Sequence, residues 1–530
     1  MSDALRDLRA SVDRAAAALG GTPKAPPALE RPRQADHGDY ATNAAMLLTK
    51  ALGRPPREIA AELAAALGGE LGGDLARSEV AGPGFLNLVL SDSWHAGALA
   101  GVLDAGAAWG SSTPETPRKV NVEFVSANPT GPVHVGGARN AAYGDALARC
   151  LQLAGHSVHR EFYVNDFGSQ VELLGRSVRA RARGEEVPEG GYQGGYVTGL
   201  AEQIPGAADL ELGELGQRAV ALMVDVARES LERFRISFDT WFSEKGLHDD
   251  ARVEHAFDVL DRQGRTYRSD GALWLRTSEF GDDKDRVIER ATGEHTYFAS
   301  DIAYHLDKRE RGFDLLLDVW GADHHGYVPR MHAAFEALGG APDGLELLIM
   351  QLVSLSEGGE QVKMSKRAGE FVTLDDLIEE IGVDAARWYL LQRSHDTTID
   401  LDLELAKRQS SENPVYYVQY AHARMAAILR EATAAADATL PATELHPSER
   451  ALVRALLAWP GEVAEAAARR APHRVATYVL ELAQSSAAFY RDCKVRGEPS
   501  EAFRVAVCLA TQRTLAGALA TLGVSAPDEM

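Results

Sequence analysis

The sequence predicts an α/β protein built on a doubly wound parallel sheet. An insertion interrupts that core, a small α+β unit precedes it and an all-helical unit follows it. Three observations carry this expectation. Between residues 118 and 371, short β-branched or apolar runs alternate with helical patterns, the repeat of a parallel sheet covered by helices. From residue 372 onward almost everything has helical spacing and is rich in Ala, Leu and Arg. Residues 1–110 mix the two periods. The 530 residues suffice for three or four units of roughly 150 residues each.

Composition narrows the class. With 45% hydrophobic and 25% charged residues, the chain is not a disordered, collagen-like or disulfide-scaffold protein. Cys150, Cys493 and Cys508 stand far apart without a CxxC pair, which argues against a cysteine zinc site and for a reducing, cytoplasmic setting. No apolar run approaches the roughly 18 residues of a membrane span. The net charge of −22 excludes a surface coated with nucleic acid throughout. Residues 412–530, however, carry 12 Lys+Arg against 13 Asp+Glu, so nearly all of the negative charge falls on residues 1–411.

The first stretch, MSDALRDLRASVDRAAAALGG, places Leu5, Leu8, Val12 and Leu19 at helical spacing and carries charges of both signs. It predicts an amphipathic helix rather than a signal peptide. REIAAELAAAL (57–67) predicts a second helix. FLNLVLS alternates Phe85, Asn87 and Val89 against Leu86, Leu88 and Leu90, as a strand does. SSTPETPRK (111–119) is a linker. VNVEFV (120–125) is a strand, SANPTGPVHVGG a loop, and ARNAAYGDALARCLQLAG a helix stopped by Gly155. VHREFYV (158–164) is the next strand, completing a β–loop–α–β unit.

The insertion occupies about 184–290. Its first part, 184–206, is Gly-rich and irregular, and GALWLRT and DRVIE near its end look like strands. FDLLLDVWGAD (313–323) and LELLIMQLVSL (345–355) suit buried parallel strands. Residues 372–411 form a helical connection, and 412–530 a helical domain in which 432–447 is a loop between helices.

Two segments can carry chemistry. His134-Val135-Gly136-Gly137 sits where the first strand passes into a helix, and a helix N-terminus attracts phosphate. Gly136 and Gly137 would let backbone approach a nucleotide, and His134 could stabilise charge at a phosphorus. The spacing is not GxGxxG, which disfavours a dinucleotide. EGGEQVKMSKRAGEF (357–371) concentrates Lys363, Lys366 and Arg367 between glycines, a cationic loop suited to a triphosphate. Either segment alone also fits a surface turn or a solvated basic hairpin; together, in the two halves of a split sheet, they are far more specific.

HVGG resembles the His-Ile-Gly-His signature of class I aminoacyl-tRNA synthetases, and KMSK matches their Lys-Met-Ser-Lys signature. VEFVSANPTGPVHVGGARN, REFYVNDFGSQVELL, DIAYHLDK, VWGADHHGYVPR, VKMSKRAGEFVTL and NPVYYVQYAHAR resemble the arginyl-tRNA synthetase family, bacterial cytoplasmic type. The resemblance runs from about His37 to Met530.

The resemblance implies a Rossmann-like catalytic domain at 118–371. It implies that arginine and ATP, carrying Mg2+, give arginyl-adenylate and pyrophosphate. The arginyl group then passes to the terminal adenosine of tRNA(Arg), and family members generally need tRNA even for the first step. His134, Lys363 and Lys366 are the implied catalytic residues, with Gly136, Gly137 and Asn140 joining them around ATP. Gly137 departs from the signature, where a second histidine is usual, so backbone N–H groups or Asn140 would take over its contact.

Glu123, Asn128, Tyr297 and Asp301 match the arginine positions. Asp301 suits the guanidinium, whose planar fork of donors fits a carboxylate. Tyr297 would stack on it, and Glu123 and Asn128 would serve the α-amino and carboxylate end. Apart from the resemblance, Glu123 reads better as an ion-pair partner. Residues 1–110 resemble a domain that contacts the tRNA elbow, through Phe85 and Asn87. Tyr417, Arg424 and Met530 match anticodon-contacting positions, although Tyr416, Tyr417 and Tyr420 would also serve as helix core. The implied enzyme is a monomer with no membrane attachment and no metal held by the protein.

Three other readings compete: an adenylate-forming nucleotidyltransferase with a small acid as acceptor, a catalytically degenerate tRNA-binding paralogue, and a manganese phosphoesterase built on Asp323-His324-His325. The C-terminal helical domain weighs against the first and the intact KMSK against the second. The lack of further ligand clusters weighs against the third.

Overall fold

The computed structural model describes residues 3–530 apart from 22, 24, 33, 35, 36, 362–371 and 442. Residues 4–105 form an α+β unit. Four helices, Ala4–Ala18, Ala44–Leu52, Pro56–Leu71 and Asp92–Ala105, accompany an antiparallel sheet. In its Phe85–Leu90 strand, Leu86, Leu88 and Leu90 are wholly buried and Phe85 is 37% exposed. The alternation in sequence is thus the alternation of faces.

The central sheet has five strands: β1 (Lys119–Glu123), β2 (Ser157–Val164), β3 (Thr240–Ser243), β4 (Leu315–Gly321) and β5 (Leu345–Met350). All neighbours pair in parallel, in the order β5-β4-β1-β2-β3. Val120, Val122, Leu315, Leu316, Leu317 and Val319 are buried, which is why these strands read as nearly continuous apolar runs. Strand order reverses between β1 and β4, opening a crevice at their carboxyl ends. Helix α1 (Val135–Leu153) follows β1 and helix α2 (Tyr297–Glu310) precedes β4.

Several expectations change. The apolar run 345–355 is two strands: β5 ends at Met350, and β6 (Val353–Glu357) joins a separate sheet beside Glu360–Gln361 and β7 (Ile399–Asp402). A run of apolar residues does not show where pairing partners change. The β7 strand lies in a stretch expected to be helical and pairs in parallel with β6. The irregular segment 184–206 contains the helix Gly195–Gln203, whose period its glycines hide; Val197 and Leu200 anchor it in the insertion's own core.

Helix α3 (Leu374–Leu391) follows and breaks at Gly382. The C-terminal bundle contains α4 (Pro414–Glu431), Pro447–Leu457, Trp459–Ala468, His473–Asp492 and α5 (Glu501–Leu522). Helix α5 passes for a membrane span by length and composition alone, although Arg504 and Arg513 interrupt its apolar run. Its residues Phe503, Val507, Cys508, Leu515 and Leu519 are buried among the other helices, and a helix surrounded by partners is apolar on most sides.

Candidate active site at the switch between strands

The crevice holds a cavity of about 310 Å³. Its lining comes from the carboxyl ends of β1, β2 and β4 and from α1, α2 and the residue after β3. The chain turns sharply out of β1, with Val125 at φ 69° and Ser126 at φ 39°. A β-branched residue there is strained. Ser126 fixes the turn: its Oγ donates to Glu123 Oε1 at 2.8 Å and accepts from Tyr163 N at 3.1 Å.

Below the cavity lies a buried ionic lattice. Lys308 Nζ donates to Glu123 Oε2 at 2.5 Å and to Asp318 Oδ1 at 2.8 Å. His305 bridges Asp318 Oδ2 at 2.9 Å and the Asp301 carbonyl at 2.7 Å. Glu123 therefore serves as an ion-pair partner while also lining the cavity.

Asp301 and Glu244 are the cavity's other acids. Tyr327 Oη donates to Asp301 Oδ2 at 2.6 Å. Burial raises the Asp301 carboxyl above its usual range. Glu244, the first residue after β3, hydrogen-bonds with Ser300 and Tyr163, and with its amide turned to donate, Asn165 lies 2.8 Å from Oε2. Burial, with Asp301 nearby, pushes Glu244 up to about 7. Two buried carboxylates that line one cavity make a site suited to a cation. Nothing in the sequence around Glu244 singled it out, because its partners come from β2 and α2.

Tyr297, at the start of α2 and one turn before Asp301, lines the same cavity; it is 63% exposed. Asn128 is exposed beside Asn165 and does not line the cavity. Asn140 lines it and donates to the Val319 carbonyl at 3.3 Å, tying α1 to β4. His324 belongs to the lining as well.

His134 caps α1. Its Nδ1 accepts from Gly136 N at 3.0 Å and Gly137 N at 3.3 Å. This corrects the expectation that these N–H groups are open to phosphate: the histidine's own ring takes them. The bonds fix Nδ1 as the acceptor and leave Nε2 as the protonated nitrogen. A Cβ at Gly136 would lie 2.9 Å from the ring, so a side chain there would push the imidazole from its capping position. Gly137 has no positive φ and sits within the helix.

Lys363 and Lys366 lie outside the described residues. Their flank returns beside His134: Val135 N donates to the Val372 carbonyl at 3.1 Å and Leu374 N to the Val133 carbonyl at 2.7 Å.

Far from the crevice, Tyr416 and Tyr420 stack on α4 with centroids 6.3 Å apart. Arg424 lies over Tyr420 at 4.6 Å and over Tyr490 at 4.5 Å. Tyr490 is half exposed and was not anticipated from the sequence, since it belongs to another helix. Tyr417 packs against the core. The chain end runs along α4, with Gln419 donating to the Ser525 carbonyl at 3.1 Å and His422 paired with that of Pro527 at 2.8 Å. Met530 is exposed. In the first unit Phe85 is accessible, whereas Asn87 is buried on the same face of its strand.

Comparisons with known proteins agree over the whole length. Residues 6–90 match the arginyl tRNA synthetase N terminal domain, 100–188 and 209–425 the catalytic domain of class I (R) tRNA synthetases, and 418–530 the DALR anticodon binding domain. The arginine–tRNA ligase of Kineococcus radiotolerans is 48% identical, with 100% of this chain and 99% of that protein covered. The Thermus thermophilus arginyl-tRNA synthetase structure superposes with a TM-score of 0.78 at 24% identity, covering 99% of this chain and 100% of that one. The Plasmodium falciparum arginyl-tRNA synthetase gives 0.77 at 16% identity, with both chains fully covered, a likeness of fold.

Proposed function

From the membership of this chain in the arginyl-tRNA synthetase family, we propose how its residues divide the work of arginine–tRNA ligation. The enzyme joins arginine to tRNA(Arg) at the cost of ATP. In the first step an arginine carboxylate oxygen attacks the α-phosphorus, the bond to the β-phosphate oxygen breaks, and pyrophosphate leaves. In the second, a terminal ribose hydroxyl attacks the adenylate carbonyl and AMP leaves.

The observation that carries the assignment is the Asp301–Glu244 pair at the strand switch. A guanidinium offers five donors in one plane and can face two carboxylates at once. Lysine presents a single point of charge and leaves part of that surface unpaired. Tyr297 covers the guanidinium from the cavity mouth. Glu123, already neutralised by Lys308, and Asn128 address the α-amino and carboxylate end. His134 offers its Nε2–H to the α-phosphate, with Gly136 and Gly137 holding the ring and Asn140 setting the helix against β4. Lys363 and Lys366 serve the leaving pyrophosphate, and Mg2+ arrives on the triphosphate.

Phe85 addresses the tRNA elbow, and Asn87, buried beside it, shapes that face of the strand. Tyr417, Arg424 and Met530, together with Tyr420 and Tyr490, form the anticodon surface, where stacked aromatic rings and a cation suit splayed bases. The enzyme works as a cytoplasmic monomer.

Arginine-dependent ATP–pyrophosphate exchange, with and without tRNA, tests the reading. Asp301→Asn should weaken arginine binding by roughly 2–5 kcal/mol and leave ATP binding nearly unchanged. Equal losses for both substrates would remove Asp301 from the guanidinium.

A further inference from the structure

The signature helix α1 carries a second conspicuous residue, Arg139, five positions after His134. Its side chain is wholly buried, and its guanidinium acts as a clamp made of main-chain carbonyls. Nη1 donates to Gln351 O at 2.7 Å and to Leu352 O at 3.4 Å. Nη2 donates to Ser394 O at 2.9 Å and to Thr397 O at 2.7 Å.

Those four carbonyls have a particular place in the chain. Gln351 and Leu352 are the step between β5 and β6, where the chain leaves the central sheet. Ser394 and Thr397 lie between α3 and β7, where it returns to pair with β6. Gln351 N also donates to His395 O at 2.8 Å, and β6 pairs with β7 from Val353 and Ile399 onward. One guanidinium therefore grips both stems of the excursion from β6 to α3, the excursion whose sequence contains Lys363 and Lys366. At its far side the same excursion is bonded to the residues flanking His134, through Val372 and Leu374.

We infer that Arg139 is a positioning residue for amino-acid activation, holding the neck of the β6–α3 excursion in register with the helix that carries His134. The inference rests on the ligase reading above. A buried cation whose acceptors are all carbonyls, on two segments, exchanges desolvation for geometry; apolar packing would serve stability alone as well. Lysine could not replace it, because a single ammonium cannot reach both stems as a planar fork does.

The test is arginine-dependent ATP–pyrophosphate exchange in the presence of tRNA, for wild type, Arg139→Lys and Arg139→Ala, with added guanidinium or methylammonium chloride. Both variants should keep the KM for arginine within about twofold and lose on the order of 30-fold in kcat, as misplacement of reacting groups does. Guanidinium, but not methylammonium, should restore part of the rate of Arg139→Ala. If Arg139→Ala does not fold, the split between kcat and KM in Arg139→Lys carries the test. A kcat within about threefold of wild type overturns the inference. So does a loss in which the arginine KM rises in proportion, or a folded Arg139→Ala that guanidinium does not rescue. A wild-type protein without arginine-dependent exchange would instead overturn the ligase reading, and that arm is read separately.

Discussion

His134 gives one ring nitrogen to its own helix, and that choice decides what the other can do. With Nδ1 accepting from the N–H groups of Gly136 and Gly137, the proton resides on Nε2. The backbone does not hold Gly137 to glycine, since its φ is not positive; among the described residues an added Cβ would meet a Val133 methyl at 3.1 Å, a tight contact that the methyl must relieve by shifting. Gly137→His should thus fold, with a stability change within about 1 kcal/mol, since a helical glycine is itself unfavourable. It should bind ATP at least as well as the native enzyme, measured by exchange kinetics beside a melting curve. A large loss of either would show that the helix start tolerates no side chain there. The Glu244 carboxyl makes a second prediction. Its ordinary value is 4.5 and burial raises it to about 7. Between those values the folded, ligand-free enzyme holds a proton that the unfolded chain has released. This contribution to stability is complete below 4.5 and is lost as pH rises through about 7. Arginine, being a cation, favours the carboxylate, so binding below that pH releases the proton. Arginine affinity should rise with pH by up to about tenfold per unit and level off above it. Titration calorimetry in buffers of different ionisation enthalpy would read the proton directly. In Glu244→Gln the dependence should vanish; if it persists, another group titrates.

Helix α3 is in fact two helices joined at Gly382, where φ is 78° and ψ is 159°. Only glycine adopts that conformation readily. Space is not the constraint, because no atom of the described residues lies within 4 Å of an added Cβ. Gly382→Ala should therefore lower stability by roughly 1–3 kcal/mol through backbone strain alone. Gly461 is the matched control. It sits in the helix Trp459–Ala468 without a positive φ and with equally open surroundings. Gly461→Ala should raise stability by up to about 1 kcal/mol. Melting curves of the two variants should move in opposite directions; a shift of both the same way would refute the strain account. The break at Gly382 was invisible in the sequence because hydrophobic spacing continues across it, from Leu377 to Ala385 and Trp388. The same limit explains the other differences. Periodicity revealed four of the five strands of the central sheet and the strand at Phe85–Leu90, whose partners agree with their local pattern; it missed the short edge strand β3 (Thr240–Ser243), which lies within the stretch read as an insertion. It did not reveal that β6 leaves the sheet, because its partner β7 lies far along the chain and an apolar run does not name its partner. His134 stood out from its glycine-bearing loop, and Tyr297 and Asp301 were named through the family resemblance. Glu244 and Tyr490 were not, since each acquires its meaning from elements far away in the chain.

The largest-scale feature is how the first unit meets the C-terminal bundle. Asp39, almost completely buried, accepts from Leu90 N at 2.7 Å and forms an ion pair with Arg454. Asp92 pairs with Arg450 at 2.6 Å and accepts from Leu445 N at 3.1 Å. Trp109 donates to the Leu456 carbonyl at 3.3 Å, and Trp459 donates in return to that of Trp109 at 3.2 Å. The strand bearing Phe85 is thereby fastened to the bundle bearing Arg424, and the two proposed tRNA surfaces hold a fixed spacing. Removing one partner of a buried pair leaves the other charge uncompensated, typically costing about 3–5 kcal/mol. Arg454→Ala should accordingly destabilise the protein more than Arg450→Ala, whose partner Asp92 is more exposed than Asp39. If spacing matters for tRNA, Arg454→Ala should also weaken tRNA binding by roughly tenfold, about 1.4 kcal/mol. Arginine binding, measured by calorimetry at a temperature well below the melting transition, should not change, because the crevice lies in another part of the molecule. Filter binding of tRNA separates two roles for the junction. Lower melting with unchanged tRNA affinity would make it a device of folding only. Lower affinity with intact arginine binding would make it the element that sets the distance between elbow and anticodon contacts.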